Sequence, residues 1–575
     1  MKFIRFAGRF AGLLLSAALS FSSSSALAHG PQKPRNIIIF VADGLRYGSV
    51  EPGNMPNLYR LKTEGVDFTN SHSLYPTITT VNASAIATGH YIGDTGDFGN
   101  TLYTGVRMNS QHGATVVGLE NDAVLAEMNR KFGGNYLNED TLIARARAAG
   151  FSTAVIGKLG PARIQDSTAA PDGSQTLIVD DNTGHDDGFA LPAWFRDRMK
   201  DAFLPSQVPE RQVPNIPQEV WLMKATTRIV LPHFKQAGKP FALLFWSRDP
   251  DMSQHNTKDS VGEYDPGING PSGLAGTRDA DTMLGELRQA LKDQGLDQDT
   301  DIFVTADHGF LTVSRESKTS PSAKDGQLAP GFLLSDLAVT LGLPKINDAG
   351  LGTNPAAPDV VVAANGGSDL IYLPGRNAGA LAAKTVKFLA SQDYVAAIFV
   401  NDRLGKFPGA LAMSDINLIG SAKTPQPSIY VSFRSFARGC ENPLQCTVGV
   451  HDTKMLTGQG SHGSLSRAET RNFMAAIGPG FKAHYADPAP VSNADIAPTM
   501  AHLAGITLAP KGRLTGRVIT EALNGGTEPA VSSRTIASTP AENGNVTLLN
   551  VQQVGEQRYF DAAGFAGRVV GLKSR

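Results

Sequence analysis

Apolar residues along the chain follow two patterns. Short continuous runs of β-branched and aromatic residues cover Asn36 to Val41, Ser152 to Ile156, Phe241 to Trp246, Asp301 to Thr305, Val360 to Ala363 and Phe473 to Ile477. Between them, helical spacing recurs over Thr141 to Ala149 and over Asp281 to Lys292, where Met283, Leu284, Leu287 and Leu291 share one face. Runs without polar alternation suit strands buried on both sides. Their alternation with amphipathic helices predicts an α/β fold, with a mostly parallel central sheet and helices on both faces.

In such sheets ligands bind just beyond the carboxyl ends of the strands. Asp43 follows the first run directly, Asp251 and His255 follow the third, and Asp307-His308 follows the fourth. Residues 91–140 and 164–220, rich in Gly, Asn, Asp and Pro, are expected to be long loops inserted around that edge. The stretch 313–440 has strand patterns of its own (Ser368 to Tyr372, Val395 to Val400) and a helical one (Ala380 to Ala390). The expected layout is a core of residues 35–312 plus 441–525, an inserted cap domain at 313–440, and a tail at 526–575 that is strand-rich near its end.

Composition narrows the class. The chain has 575 residues, 41% hydrophobic, with 52 Lys+Arg against 53 Asp+Glu. That balance is too apolar and too neutral for a disordered chain, and it lacks the basic excess of a nucleic-acid reader. The first residues carry Lys2, Arg5 and Arg9, then an apolar run from Ala11 to Phe21, then Ala26-Leu27-Ala28. This order predicts a secretory signal over residues 1–28, hence a periplasmic or secreted protein, and the run is too short to span a bilayer. Cys440 and Cys446 are the whole cysteine inventory, so a small disulfide loop is expected of an exported chain.

Several blocks taken together carry a family likeness. They are Ile37-Ile38-Ile39-Phe40-Val41-Ala42-Asp43-Gly44, Met55-Pro56-Asn57-Leu58, Tyr75-Pro76-Thr77-Ile78-Thr79-Thr80-Val81-Asn82 and Ala87-Thr88-Gly89, then Asp249-Pro250-Asp251-Met252-Ser253-Gln254-His255, Thr305-Ala306-Asp307-His308-Gly309, Gly460-Ser461-His462-Gly463 and Val491 to Pro498. In this order they resemble the nucleotide pyrophosphatase/phosphodiesterase branch of the alkaline phosphatase superfamily. The resemblance implies two divalent metal ions, usually zinc. Asp251, His255 and His462 would hold one, and Asp43, Asp307 and His308 the other, together with the oxygen of Thr79. It also implies a phosphoester hydrolase acting on small molecules through a phosphothreonine intermediate, with Thr79 as nucleophile and Asn82 donating to a phosphate oxygen. Three N/O ligands per zinc leave an open position, and coordination makes a threonine hydroxyl acidic enough to attack phosphorus.

The chain departs from the branch at Ile78, Thr80 and Val81, where Lys, Phe and Pro are usual. Loss of that Phe weakens the case for a nucleobase. Lys158 follows another strand end, and a cation there would contact a phosphate oxygen and favour monoesters. The related threonine-dependent alkaline phosphatases place Lys and Arg two residues apart, whereas here Arg163 lies five further on. The alternatives are therefore a phosphomonoesterase with the same nucleophile, a metal-dependent phosphomutase and a non-catalytic binding protein. With both cysteines in the 440–446 loop, no Cys-x-Pro-x-Arg block is present, which argues against the formylglycine sulfatases.

Overall fold

The computed structural model describes residues 35–185 and 188–573. The expected signal segment lies outside these residues. Eight strands form the central sheet: β1 (Asn36–Ala42), β2 (Val66–Phe68), β3 (Ser152–Gly157), β4 (Leu177–Asp180), β5 (Phe241–Ser247), β6 (Thr300–Thr305), β7 (Met474–Ile477) and β8 (Tyr485–Asp487). Their spatial order is β8-β2-β7-β6-β1-β5-β3-β4. All pairings are parallel except those of β7 with β6 and β2. The run at Phe473 to Ile477 is thus a strand as expected, but an antiparallel one.

The central strands are apolar throughout because each side chain meets a core. In β1, Ile37, Ile39 and Val41 enter one cluster of buried residues, while Ile38, Phe40 and Ala42 enter another on the opposite face. Helix α1 (Pro56–Glu64) starts with proline at its first turn. Its free N–H groups are satisfied across space: Asp281 accepts from Asn57 N at 3.2 Å and Leu58 N at 2.8 Å. Helix α2 (Thr79–Thr88) is buried at every position. After β5 come the short α3 (Asp251–His255) and α4 (Pro271–Asp293), the second far longer than its apolar spacing foretold.

The two expected loop insertions hold regular structure. Residues 91–140 contain an antiparallel pair, Thr101–Met108 with Ala114–Gly118, and a helix, Asp122–Lys131. Residues 164–220 contain the edge strand β4 and the helix Ala193–Met199. Within 313–440, six short strands between Gly350 and Phe433 form a second sheet around their own apolar cluster. Its hairpin turn, Asn365 to Gly367, reaches the central edge, with Gly367 N donating to His462 O at 2.8 Å. Residues from Arg35 onward make one compact unit, so this sheet does not stand apart from the core. The tail is a three-stranded sheet that begins at Val531. Cys440 and Cys446 are bonded.

Two features of this frame are testable. Gly157 ends β3 at φ 139°, and a Cβ there would lie 2.0 Å from Trp246 O on β5. Gly157→Ala must therefore part the two strands, and the expected loss is about 3 kcal/mol in chemical denaturation. An unchanged midpoint would contradict this packing. Beside the hairpin turn, Asp369 and Asp452 are buried, and neither Oδ2 has a donor among the described residues. Burial, then the neighbouring Asp452 charge, push Asp369 well above the usual carboxylate range, and burial raises Asp452 too. A folded-state pKa above the unfolded value contributes stability fully present below about pH 4 and lost as pH rises through the folded value. Asp369→Asn keeps a donor toward Asp452 without the charge. Its stability relative to wild type should rise from acid to alkaline pH, by about 1 kcal/mol or more; a difference flat across pH would show that no proton is shared.

Candidate metal centre

Because parallel strands end on a common edge, the residues that follow them meet there. Asp43 follows β1, Lys158 follows β3, Asp251 opens α3 after β5, and Asp307-His308 lies just past β6. Asp43 and Asp251 are tied directly, Asp251 N donating to Asp43 O at 2.9 Å, and Gly44 N donates to Asp307 Oδ1 at 3.0 Å. His462 comes from outside this sheet, beside the two-residue strand Gly460–Ser461 that pairs with Leu311–Ser314. Thr79 is the first residue of α2, and its Oγ1 lies 3.2 Å from His308 Nε2.

The ligand-type atoms form two overlapping groups, Asp43 with Asp307 and His308, and Asp251 with His308 and His462. His255 joins the second through Nε2, 3.2 Å from Asp251 Oδ1. The expected ligands therefore converge, with His308 central to both groups and its ring 3.6 Å from that of His462. Three histidines point the same kind of atom inward. The Nδ1 of His255, His308 and His462 each bonds a backbone carbonyl, of Gly460, Gly309 and Thr77 respectively, all at 2.9 Å. A proton fixed on Nδ1 leaves the Nε2 lone pair for a cation.

The carboxylates have the complementary gap. Asp43 Oδ1, Asp251 Oδ1 and Asp307 Oδ2 are buried without a hydrogen-bond partner among the described residues. Buried carboxylate oxygens with nothing to accept from are costly unless a cation faces them. This donor set, oxygen and imidazole without sulfur, fits divalent zinc, manganese or similar ions.

The electrostatics agree with the geometry. Burial, then the neighbouring Asp251 charge, push Asp43 up to about 7, and burial with Asp43 pushes Asp307 well above the usual range. Burial acts the same way on Asp251, but Lys158 and His255 outweigh it and hold Asp251 well below. Burial lowers His308 to about 3 and, with His308 beside it, lowers His462, so both rings are neutral donors. His255 goes up because Asp251 outweighs burial. The open side of the centre is at His255, whose side chain is 18% exposed.

Two expected substrate contacts are placed otherwise. Asn82 Oδ1 accepts from Leu74 N at 2.7 Å and Asn493 Nδ2 at 2.9 Å, and its own Nδ2 donates to Leu74 O and Ile78 O. Its amide is spent on the loop that carries Thr79, because a residue three positions into a helix faces back along that loop and not out of its end. Lys158 is enclosed by carboxylates, and Arg163 lies elsewhere, donating to Ala169 O. Residues that spacing does not flag stand nearer. Asn100 Oδ1 accepts from Thr80 N at 2.9 Å, which sets this half-buried amide beside Thr79. Trp246 Nε1 donates to Asp43 Oδ2 at 2.8 Å. His451 is fully buried, with Nε2 3.7 Å from Glu469 Oε1. A third group, His90, Asp94 and Glu139, is a loop clamp: Asp94 accepts from Ser421 N and Leu514 N, and Glu139 from Lys511 N and Gly512 N.

A model of the type I phosphodiesterase / nucleotide pyrophosphatase family matches residues 37–326, just over half of the chain. The matched span contains every candidate ligand except His462, which is placed by geometry. No curated protein matches the chain.

Chelator-stripped protein titrated with Zn2+ should bind two ions, with a rise in melting temperature. Asp307→Asn should bind one tightly and the second about a hundredfold more weakly. Equal affinity at both sites in the variant would remove Asp307 from the ligand set.

Proposed function

The chain belongs to the type I phosphodiesterase / nucleotide pyrophosphatase family, a family of phosphoester hydrolases, and from that premise we propose an exported, two-metal enzyme that cleaves small-molecule phosphodiesters through a covalent bond to Thr79. One observation carries the reading: three unpartnered carboxylate oxygens and three Nε2 atoms with free lone pairs converge on one sheet edge, and the Thr79 hydroxyl lies 3.2 Å from one of them, His308 Nε2.

Zinc or a similar ion, held by Asp251, His255 and His462 and by Asp43, Asp307 and His308, would supply Lewis acidity, lowering the pKa of the Thr79 hydroxyl and neutralising phosphate charge. Thr79 Oγ1 attacks phosphorus and the ester bond to the leaving oxygen breaks. The phosphoryl group, still carrying the second ester substituent of a diester, then resides on Thr79 until water cleaves the new bond. As the first residue of α2, Thr79 presents the phosphoryl to a helix amino terminus, which favours its negative charge. His308 Nε2, 3.2 Å from Thr79 Oγ1, would hold an ion next to the hydroxyl.

The placement of cations supports diesters over monoesters. A dianionic monoester calls for a free cation above Thr79, and here Lys158 is enclosed and Arg163 is bound to a loop carbonyl. Export is supported by the order of charge, apolar run and Ala26-Leu27-Ala28, and by the Cys440–Cys446 bond, which suits an oxidising compartment. Among the described residues no helix is long and apolar enough to cross a membrane.

Thr79→Ala should lower hydrolysis of bis-p-nitrophenyl phosphate about a thousandfold or more with metal content unchanged, while Thr79→Ser keeps much of it. The wild type should prefer this diester to p-nitrophenyl phosphate. Full activity in Thr79→Ala would rule out the covalent route, and metal uptake without turnover of any phosphoester would favour a binding protein.

A further inference from the structure

Behind the metal-facing oxygens lies a cation that the proposed reaction leaves without a task. The Lys158 side chain is 2% exposed, and its ammonium is 2.9 Å from Asp43 Oδ2, 2.9 Å from Glu120 Oε1 and 3.3 Å from Asp251 Oδ2. Two of its three N–H donors go to Asp43 Oδ2 and Asp251 Oδ2, and Glu120 Oε1 faces it as a third ion-pair partner. The oxygens that Lys158 holds on Asp43 and Asp251 are Oδ2, whereas the unpartnered ones are Oδ1. Each aspartate therefore divides its two oxygens between Lys158 and the metal side, and the two aspartates belong to different ligand groups. Trp246 Nε1 fixes Asp43 Oδ2 from a second direction. A donor seated on one carboxylate oxygen stops the group from rotating or from chelating an ion through both oxygens.

We propose that Lys158 is a positioning residue that fills a built-in third cation position between the two ligand groups, so that Asp43 and Asp251 each offer one oxygen to their own ion and none to another. The inference rests on the two-metal reading above. Three carboxylate oxygens around one buried point make a site that must hold positive charge. Without the lysine, their hard oxygen character would suit Mg2+ or Mn2+, and Glu120, with a side chain 34% exposed, opens that point toward solvent.

The test is metal content of the full-length protein after dialysis against Zn2+ and Mg2+, with turnover measured in parallel. Wild type should hold two ions and retain no Mg2+. Lys158→Ala should take up a third ion, Mg2+, and the pair Lys158→Ala with Glu120→Gln should bind that ion about tenfold more weakly or less. Lys158→Met fills the space without charge and keeps the packing. Its affinity for both zinc ions should fall together by about tenfold or more, with kcat falling and KM little changed. The proposal is overturned if Lys158→Ala and Lys158→Met both hold two ions with wild-type affinity while KM for the phosphoester rises, the mark of a lysine on substrate. A wild type that retains no divalent ion would overturn the two-metal reading itself, and this inference with it.

Discussion

Three aspartates buried at one edge of the sheet are the constraint on which the rest of the site depends. Asp43, Asp251 and Asp307 are at most 4% exposed, and each ionised carboxylate taken out of water costs several kcal/mol unless positive charge meets it. Lys158 supplies one such charge and leaves three carboxylate oxygens unpartnered. His308 and His462 cannot close the gap as cations, since burial keeps them neutral. Neutral imidazoles and uncompensated carboxylates around one point make a donor set for metal ions, and the same deficit makes the centre attractive to phosphate once the ions are bound.

The sheet explains how residues so far apart in sequence come together. Parallel strands put their carboxyl ends on one edge, so Asp43, Lys158, Asp251 and Asp307 arrive together as a consequence of strand direction. His462 needs its own device. Its ring is fixed by the carbonyl of Thr77, two residues before the proposed nucleophile, and its backbone is held by the hairpin turn of the second sheet. One carbonyl thereby links the position of a ligand to that of Thr79.

How much of this was legible follows from what each residue must do locally. Strands β1, β3, β5 and β6 were readable because burial on both faces demands unbroken apolar runs. The direction of β7 was not, since an apolar run carries no sign of polarity along the sheet. Strand β4 was hidden by its four-residue length inside a Gly- and Asp-rich stretch. The first half of α4 was hidden because small residues such as Gly273 and Gly276 lie against Ile268 and Ser253, where close approach replaces apolar spacing. The metal-type ligands were visible as motif residues at strand ends, and the structure brings all of them together. Asn82 was expected to face a phosphate oxygen, and its amide instead bonds Leu74, Ile78 and Asn493, contacts that no spacing encodes. Trp246, Glu120 and Asn100 left no signal, because each acts through a contact across strands or loops that no local spacing encodes.

The claim at the centre of this account is that two ions share the edge, one on each ligand group. The most direct measurement is anomalous diffraction at the zinc absorption edge from crystals grown with Zn2+. The account predicts two peaks, one bounded by Asp43 Oδ1, Asp307 Oδ2 and His308 Nε2, the other by Asp251 Oδ1, His255 Nε2 and His462 Nε2. A single peak, or peaks remote from these atoms, would contradict it.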